Sequence, residues 1–358
     1  MERLSIQDAR VLVTGGAGFI GSELVRSLAQ SGVSHVGVID KLTYAGNLES
    51  LPPELIDRER FFHGDIASEP FVRRVFADFR PTLVYHLAAE SHVDRSIDDP
   101  DSFIRTNIVG TYTLLTVARD YWRSTLREAS SFVFVHVSTD EVFGSLGESG
   151  RFTEASAYDP SSPYSASKAS ADHLVRAWQR TFGVPCIVTN CSNNYGPYQF
   201  PEKLIPHMII RALSGDTLPV YGTGVNIRDW LHVSDHARAL RVIGERGIAG
   251  ETYLIGGDSE RRNLELVQRI CTELDRLRPR ATGSYMDLIT FVTDRPGHDH
   301  RYAIDHDHLT TSLGWRPMIS LDEGIESTVR WYLDNESWWR RVLSGEYRTM
   351  RLGLEETT

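Results

Sequence analysis

The sequence predicts an α/β protein in which a doubly wound parallel sheet is joined to a smaller C-terminal α/β domain. Short apolar strands alternate with helical stretches through the first half of the chain, which is typical of parallel sheets covered on both faces by helices. The chain has 358 residues, enough for two average domains. Its later part is less regular and contains Gly/Pro-rich turns, so we expect the second domain to be interleaved with the last elements of the first.

The predicted elements of the first domain follow one another in a regular order. Strands are predicted at Val11–Thr14, His35–Asp40, Arg60–His63, Leu83–Leu87, Phe132–Val137 and Pro185–Asn190. Helices are predicted at Gly21–Gln30 and near Pro70–Phe79, Pro100–Trp122 and Ser165–Phe182. We expect the first domain to comprise residues 1–192 and about 229–256, the second residues 193–228 and 257–338, and a tail residues 339–358.

The composition excludes several classes of protein. The 48 acidic and 38 basic side chains give a net charge of −10, which argues against a general nucleic-acid binder. No apolar run approaches the roughly 20 residues of a membrane-spanning helix, and the first ten residues are too polar for a secretory signal. The three cysteines form neither a disulfide framework nor a CxxC metal site. We therefore expect a cytoplasmic protein without a metal.

A glycine-rich turn follows the first predicted strand and opens the first predicted helix. It reads Thr14-Gly-Gly-Ala-Gly-Phe-Ile-Gly21, with glycines at Gly15, Gly18 and Gly21. Glycine permits the tight turn, and the missing Cβ lets a pyrophosphate approach the backbone. The helix N-terminus then offers unpaired N–H groups to the anion. These glycines alone can also form an ordinary turn, but their place between strand and helix indicates a Rossmann-type dinucleotide site.

Asp40 favours one dinucleotide over the other. It ends the second predicted strand, 19 residues after Gly21, where a carboxylate can accept hydrogen bonds from the adenosine ribose. A carboxylate there repels a 2′-phosphate, so the sequence favours NAD over NADP, although the adjacent Lys41 weakens that preference. Asp65 and Ile66 follow the third strand and can flank the adenine, but Asp65 can equally be a helix cap.

Tyr164 and Lys168 stand four residues apart at the start of a predicted helix, which puts both on one face. A phenol has an unperturbed pKa near 10 and is a poor base at neutral pH. We expect the neighbouring ammonium to lower the pKa of Tyr164 and to make the phenol a usable proton acceptor for an alcohol. An arbitrary Tyr and Lys at this spacing would be surface residues, but these two follow a dinucleotide motif.

Lysine is rare in this chain. Of the 38 basic residues only Lys41, Lys168 and Lys203 are lysines, a bias typical of a GC-rich genome. Arginine cannot replace lysine where a compact ammonium is needed, so each of the three is a candidate for a specific role.

Polar residues follow the predicted strand Phe132–Val137, in the order Ser138-Thr-Asp-Glu141. Ligands bind beyond the carboxyl ends of strands in an open α/β sheet, so Thr139 can hold a substrate alcohol there. Asp140 and Glu141 can cap a helix or lie in a solvated loop. As an acid and a base with separated pKa values they suit the elimination of water, because one removes a proton while the other protonates the departing hydroxyl.

Together these motifs resemble the extended short-chain dehydrogenase/reductase superfamily and, within it, the dTDP-glucose 4,6-dehydratase family. The resemblance runs from about Arg10 to Trp338. Its most specific part is the Asp140–Glu141 pair, since related epimerases lack the pair and relatives acting on UDP-glucuronate or GDP-mannose typically carry only the glutamate. The other matching segments are Asp40–Asn47, Leu87–Asp94, Pro163–Lys168, Asn190–Pro197, Pro201–Pro206 and Asp294–Asp299.

The resemblance implies a redox-neutral cycle on a tightly held NAD. Tyr164 takes the proton of a C4 hydroxyl bound by Thr139, while hydride passes from C4 to NAD and Lys168 binds the nicotinamide ribose. The C4 ketone acidifies the C5 proton, which Glu141 removes as Asp140 protonates the C6 hydroxyl to release water. Hydride then returns to C6 and leaves a 4-keto-6-deoxyglucose nucleotide.

The resemblance also implies two sets of binding residues. The cofactor set is Gly15, Gly18, Phe19, Ile20, Gly21, Asp40, Lys41, Leu42, Thr43, Asp65, Ile66, Leu87, Ala88, Ala89, Glu90, Ser91, Thr106, Tyr164, Lys168 and Asn194. The substrate set is Ser91, Thr139, Asn193, Lys203, Leu204, Pro219, Val220, Tyr221, Arg228, Asn263, Arg295 and His298. Its cations suit a nucleotide diphosphate and Tyr221 can stack on a base, although each taken singly can be an ordinary surface residue.

Two alternatives stay open at the level of the sequence. A nucleotide-sugar 4-epimerase would share NAD, Thr139, Tyr164 and Lys168 but would not need the Asp–Glu pair. A non-catalytic dinucleotide-binding regulator would share the fold, although such proteins usually lose a catalytic residue.

The resemblance further implies a homodimer formed through the helices near residues 100–122 and 165–182, with dTDP-glucose as substrate and neither nucleic acid nor membrane as partner. It separates dTDP from UDP only weakly, and it leaves the pathway that uses the product open.

Overall fold

The computed structural model describes residues 5–57, 59–126, 132–294 and 298–344. Its strands are β1 (Arg10–Thr14), β2 (His35–Asp40), β3 (Phe61–His63), β4 (Leu83–His86), β5 (Val133–Thr139), β6 (Cys186–Cys191), β7 (Asn193–Tyr195), β8 (Leu218–Tyr221), β9 (Ile227–His232), β10 (Thr252–Ile255), β11 (Glu260–Arg262) and β12 (Ile289–Val292). Its α-helices are α1 (Phe19–Gln30), α2 (Glu69–Phe79), α3 (Val93–Asp98), α4 (Pro100–Phe103), α5 (Thr111–Tyr121), α6 (Pro163–Phe182), α7 (Leu204–Ser214), α8 (Val233–Arg246), α9 (Asn263–Leu277), α10 (Asp307–Leu313), α11 (Leu321–Asp334) and α12 (Glu336–Leu343).

Seven strands form one sheet in the order β10-β6-β5-β4-β1-β2-β3. Every neighbouring pair is parallel, so the carboxyl ends of the strands meet at one edge. β1 lies between β2 and β4, which means that the chain proceeds in opposite directions on the two sides of β1. Such a reversal opens a crevice beyond the strand ends. The predicted doubly wound parallel sheet is confirmed.

Helices cover both faces of this sheet and bury its strands. All seven residues of β5 are buried, as both faces of a parallel sheet require. On one face, Leu24 of α1 and Leu240 of α8 belong to one apolar cluster. On the other face, Phe76 of α2, Leu115 of α5 and Val175 of α6 belong to a second cluster. The strand ends are thereby fixed between two packed layers.

A third apolar cluster lies outside the large sheet and forms the core of the smaller unit. It joins α7, α9, α11 and α12 to the parallel pair β8 and β12, with Ile209, Ile270 and Ile325 fully buried. β9 pairs with β7 and β11, while β10 pairs with β6 in the large sheet, so the chain passes from one unit to the other and back. The tail was predicted to start at residue 339, but α12 continues to Leu343. Trp339 is only 3% exposed and packs in this cluster, which anchors the helix to the smaller unit.

The predicted long helix near Pro100–Trp122 is interrupted. Between α4 and α5, residues 104–110 form a wider, π-helical turn. Asn107 in this turn accepts a hydrogen bond from the N–H of Glu90 (2.9 Å) and donates to the Glu90 carbonyl (3.0 Å) and to Ser167 Oγ (2.8 Å). The wide turn thus holds Asn107 between the end of β4 and α6, and hydropathy periodicity carries no signal for it.

In the part of the chain before β6, the short helix α3 is missing from the sequence prediction because its six residues are too few to show a helical period, and no bounds were predicted for α7 to α12. His92 caps it with a ring nitrogen that accepts a hydrogen bond from the N–H of Arg95. Within the described ranges, none of the helices has the length and apolar character needed to cross a membrane.

Candidate active site

A cleft opens beyond the carboxyl ends of the strands, at the reversal of strand order beside β1. Such a switch point is where open α/β sheets bind ligands. The five predicted catalytic residues, Thr139, Asp140, Glu141, Tyr164 and Lys168, all line it. The predicted cofactor residues line it as well, apart from Leu42. One cleft therefore holds both sets.

The glycine turn borders one end of the cleft. Gly15 has a φ of +69°, and a Cβ there would lie 2.7 Å from the backbone of Ala88. A Cβ on Gly21 would lie 2.1 Å from the carbonyl oxygen of Gly15. α1 begins at Phe19, and the residues of its first turn line the cleft. The turn can pack this closely, and bring a helix N-terminus to the cleft, only with glycine at these positions.

Asp40 lies at the end of β2, where the ribose of a dinucleotide is expected. Its carboxylate accepts hydrogen bonds from the N–H groups of Ala17 (2.9 Å) and Leu42 (2.8 Å). Burial raises the pKa of Asp40, and these two N–H groups oppose the rise. Leu42 therefore serves the site through its backbone, with a φ of +52°, while its side chain packs against the core.

Lys41 does not present an uncompensated charge beside Asp40. Its ammonium nitrogen lies 2.8 Å from Asp65 Oδ2, and this contact holds the pKa of Asp65 below its usual value against the effect of burial. Asp65 also accepts a hydrogen bond from the N–H of Ala67 (2.8 Å), which closes a turn, but it is not the helix cap considered for it, since Ser68 is the N-cap of α2. Pairing within the chain leaves Lys41 less suited to a 2′-phosphate.

Several buried polar atoms of the cleft have no partner within the chain. Among the residues that the structure describes, Ser138 Oγ, Asn193 Oδ1 and Gln199 Oε1 are buried without a hydrogen-bond partner and belong to residues of the cleft wall. Buried polar atoms without partners are costly, which indicates that a polar ligand satisfies them. With the glycine turn and Asp40, this donor and acceptor set fits a dinucleotide.

The start of α6 positions Tyr164 and Lys168. Ser162 caps the helix by accepting a hydrogen bond from the N–H of Ser165 (3.1 Å), and Pro163 occupies the first helical position. Tyr164 then lies in the first turn and Lys168 one turn later, and both are buried. Lys168 Nζ donates to the carbonyl of Val137 at the end of β5 (2.8 Å). The two side chains thus meet the end of that strand.

The pKa of Tyr164 is raised well above its usual value by burial and by the Glu141 carboxylate, while a hydrogen bond with Thr139 lowers it. The prediction that Lys168 brings this pKa down is therefore wrong for the structure of the chain alone. The reason is that desolvation is the largest effect on the buried phenol, while the Lys168 ammonium is itself buried and donates to Val137. Tyr164 thus rests as a neutral phenol.

Asp140 and Glu141 have different surroundings. Asp140 is 2% exposed, and its Oδ1 accepts a hydrogen bond from Thr139 Oγ1 (3.3 Å). In the described part of the chain, Asp140 Oδ2 is buried without a partner. Burial raises the pKa of Asp140 well above its usual value, and the carboxylates of Glu141 and Asp229 raise it further. Asp140 therefore holds its proton more tightly than an ordinary carboxyl, which suits it to act as the acid and leaves the half-buried Glu141 as the carboxylate that can act as a base.

The cleft also has walls that sequence reasoning missed. Gln199, Phe200 and Glu202 line it, and Glu202 accepts a hydrogen bond from the hydroxyl of Tyr44 (3.3 Å). The ring of Tyr44 lies edge-on to Phe200, and the guanidinium of Arg95 lies 3.7 Å from its centre. The matching segment Pro201–Pro206 contains Glu202, whereas Gln199 and Phe200 lie between this segment and Asn190–Pro197.

The predicted substrate residues divide into two groups. Ser91, Thr139, Asn193 and Lys203 line the cleft, whereas Leu204, Pro219, Val220, Tyr221, Arg228, Asn263 and His298 lie outside its wall. Lys203 Nζ donates to the carbonyl of Ser91 (3.0 Å). Tyr221 and His298 form an edge-on ring pair, with centroids 6.1 Å apart. Arg228 is buried and donates to the carbonyl of Asp299 (2.9 Å). Arg295 lies outside the described residues. The roles of this outer group stay predictions.

The chain is similar to known nucleotide-sugar enzymes. The family model for GDP-mannose 4,6 dehydratase matches residues 12–328. Over 351 residues the chain is 57% identical to the dTDP-glucose 4,6-dehydratase of Neisseria meningitidis serogroup B, covering 96% of this chain and 99% of the relative.

Solved structures show the same similarity. The dTDP-glucose 4,6-dehydratase of Streptomyces venezuelae, solved with NAD bound, has a TM-score of 0.83 and 45% identity, covering 93% of this chain and 99% of that one. The UDP-glucose 4-epimerase of Thermus thermophilus in complex with NAD has a TM-score of 0.81 and 30% identity, covering 91% and 99%.

Proposed function

The chain belongs to the dTDP-glucose 4,6-dehydratase family, and from that premise we propose that it converts dTDP-glucose into dTDP-4-keto-6-deoxyglucose and water. The Asp140–Glu141 pair supports this proposal most directly. A buried protonated carboxyl lies beside a half-buried carboxylate, in the same cleft as Tyr164 and Lys168. An acid and a base beside an oxidising centre are what the elimination of water requires.

NAD fits the residues present as the cofactor of this cleft. The glycine turn and the first turn of α1 would hold its pyrophosphate, and Asp40 its adenosine ribose. Bound NAD supplies reversible oxidation and reduction of the sugar, and its oxidised nicotinamide brings positive charge into the cleft that Tyr164 lines.

Tyr164 and Thr139 carry the oxidation at C4. Thr139 binds the C4 oxygen, and Tyr164, after its own phenolic proton has passed to solvent, accepts the hydroxyl proton as the ketone forms. Positive charge in the cleft offsets the burial and the Glu141 charge that hold the phenol neutral. Lys168, fixed on the carbonyl of Val137, adds its ammonium to that charge.

Asp140 and Glu141 carry the elimination. A ketone at C4 acidifies the C5 proton, which Glu141 removes, and Asp140 gives its proton to the C6 hydroxyl as water departs. The proton that Tyr164 takes at C4 balances the one that Asp140 gives up. After reduction at C6, Glu141 returns a proton to C5.

A 4-epimerase is the second candidate, because an epimerase shares the fold and NAD. An epimerase eliminates no water and so does not require a buried acid next to its catalytic threonine. The presence of Asp140 therefore favours the dehydratase. A regulator without chemistry is disfavoured because all five predicted catalytic side chains line one cleft.

Mass spectrometry of the product tests the proposal. Purified protein is incubated with dTDP-glucose without added cofactor, and a parallel reaction is run in D₂O. We expect loss of one water in both, with one solvent deuteron bound to carbon in the second. An unchanged mass with formation of dTDP-galactose would identify an epimerase. No change, even with added NAD, would contradict both enzymes.

We also propose that the protein is a cytoplasmic homodimer. Ile97, Ile104, Val109 and Tyr112 are 40–48% exposed on and beside the helical region predicted to form the interface, and an apolar patch of this kind supports association. The three cysteines, Cys186, Cys191 and Cys271, are free thiols, which a reducing compartment preserves.

A further inference from the structure

Behind the cleft, a buried polar cluster is centred on Asp172, one helical turn beyond Lys168 on α6. The Asp172 carboxylate is completely buried. Its Oδ1 accepts a hydrogen bond from Nε2 of His136 (3.1 Å). Its Oδ2 accepts from the hydroxyl of Tyr158 (2.7 Å) and from Nδ2 of Asn190 (3.1 Å). Three donors from three separate parts of the chain thus converge on one carboxylate, which none of the predicted roles uses.

This cluster is linked to the catalytic residues in two ways. Asn190 Nδ2 also donates to the carbonyl of Thr139 (3.1 Å), so Asn190 links Asp172 to the backbone of the residue expected to bind the C4 oxygen. Lys168 precedes Asp172 by four residues on the same helix, which places the two on one face. The Asn190 hydrogen bond and the shared helix face both lead from Asp172 to residues that line the cleft.

The charges around Lys168 give Asp172 a specific role. The titratable groups that face the ammonium are Tyr164 and Asp172 on α6, His86 on β4, His136 on β5 and Cys191 on β6. Burial lowers the pKa of His136 to about 4 and that of His86 well below its usual value, so both rings are neutral at pH 7. Burial also raises the pKa of Cys191 to about 12, which keeps the thiol protonated.

Asp172 is therefore the negative charge in this surrounding group. Burial alone would raise its pKa, but the hydrogen bond from His136 and the charge of Lys168 hold the pKa below its usual value. Conversely, burial lowers the pKa of Lys168, and the Asp172 carboxylate opposes that effect. A buried ammonium needs such a partner to stay charged.

We propose that Asp172 is a positioning residue for the dehydratase reaction: its carboxylate keeps the Lys168 ammonium charged and, through Asn190, holds Thr139 in place. The role in turnover rests on the proposed function, whereas the effect on the charge of Lys168 does not.

The rarity of lysine permits a direct test of the charge. With ¹³Cε-labelled lysine, the protein as purified gives signals from three lysines, and Lys41→Arg and Lys203→Arg assign two of them. In Asp172→Asn we expect the titration midpoint of Lys168 to fall by about one pH unit or more. Tyr158→Phe removes a hydrogen bond to the same carboxylate without removing its charge, and should leave the midpoint in place. An unchanged midpoint in Asp172→Asn would overturn the proposal.

The pH profile of turnover tests the consequence for catalysis. In Asp172→Asn the alkaline limb of kcat should move to lower pH, with little change in KM for dTDP-glucose, because Lys168 loses its proton earlier. Asp172→Glu keeps the negative charge, so its alkaline limb of kcat should lie at the wild-type pH. If Asp172→Asn does not fold, Asp172→Glu serves as the test variant. Equal shifts in Asp172→Asn and Tyr158→Phe would mean a merely structural role and would overturn the proposal. A wild-type protein without turnover would instead contradict the proposed function, and the lysine titration would still decide the effect on Lys168.

Discussion

At the residue scale, burial raises the affinity of both Asp140 and Tyr164 for their protons. Each has a pKa raised first by desolvation and second by the charge of Glu141. Glu141 therefore lies beside two groups that hold their protons, so the cleft contains a base and two protonated groups. This division of roles follows from the surroundings, since free Asp and Glu side chains have almost the same pKa.

Glu141→Gln should separate the two halves of the reaction. The variant keeps the size of the side chain but cannot take the C5 proton, so C4 oxidation proceeds while water loss slows by about 10²- to 10⁴-fold. Absorbance of reduced nicotinamide should accumulate, and the quenched sugar should retain its C6 hydroxyl by mass spectrometry. Tyr164→Phe is the contrasting variant, because it blocks C4 oxidation and should give no reduced cofactor. Dehydration by Glu141→Gln at the wild-type rate would exclude Glu141 as the base.

At the element scale, local sequence signals set the bounds of α6, and this helix positions Tyr164 in the site. Its start is set by the Ser162–Ser165 capping box with Pro163, and it ends at Gly183, which has a φ of +75°. Tyr164 lies in the first turn, where helices fray most readily, so the cap holds a catalytic side chain as well as a helix.

Ser162→Ala should therefore affect both stability and activity. Loss of the cap should cost about 1 kcal/mol, seen as a lower Tm, and kcat should fall because Tyr164 is held less firmly. Ser170→Ala is the matched control: it lies on the same helix, is half-buried like Ser162, and its hydroxyl donates along its own helix to the carbonyl of Ala166. An unchanged Tm for Ser162→Ala would mean that the cap does not stabilise α6.

α8 carries a buried histidine that couples stability to pH. His236 is completely buried, and its Nδ1 hydrogen-bonds to Oδ1 of Asn194, a residue of the cleft wall (2.9 Å). Burial lowers the pKa of His236 to about 3, well below its unfolded value. As the pH falls below about 6.5, the unfolded chain binds a proton that the folded chain does not, so stability declines.

His236→Gln should reduce this sensitivity to acid. Glutamine can still donate to Asn194 but does not titrate, so the free energy of unfolding should fall less steeply between pH 6.5 and 4. The difference from wild type should be about 1.4 kcal/mol per pH unit, measured by urea denaturation. His35→Gln, at an exposed position, controls for the loss of a histidine ring. Identical slopes in wild type and His236→Gln would exclude His236 as a source of the acid sensitivity.

At the scale of the whole molecule, the reversal of strand order at β1 brings the residues of the site together in one cleft. Gly15 follows β1, Asp40 ends β2, Thr139 ends β5 and Cys191 ends β6, and all four line the cleft. Residues far apart in the chain meet because parallel strands end at one edge.

The proposed homodimer is also a property of the whole molecule. Light scattering coupled to size exclusion should give twice the chain mass of 40.4 kDa. Ile104→Glu with Val109→Glu places two charges in the exposed apolar patch and should give the mass of one chain. Met318→Glu is the control, since Met318 is 74% exposed at another position on the surface. A wild-type mass of one chain would contradict the dimer.

Local chemistry made part of the fold and site predictable from the sequence. The apolar strands, the glycine turn and the Tyr164–Lys168 spacing each depend on residues close in the chain. The predicted strands and helices of the first domain are present at nearly the expected bounds, except that the helix near Pro100–Trp122 is interrupted at residues 104–110. The resemblance added residues such as Thr106, whose place in the cleft no local pattern indicates.

The tertiary structure determined those features that depend on contacts between residues far apart in the chain. The raised pKa of Tyr164, the π-helical turn at Asn107 and the carboxylate of Asp172 behind Lys168 all arise from contacts between distant segments. Desolvation in particular has no local signature, because it is set by everything that packs around a group. The sequence by itself thus determined which chemical groups the cleft contains, and the packing of the folded chain determined which of them are charged.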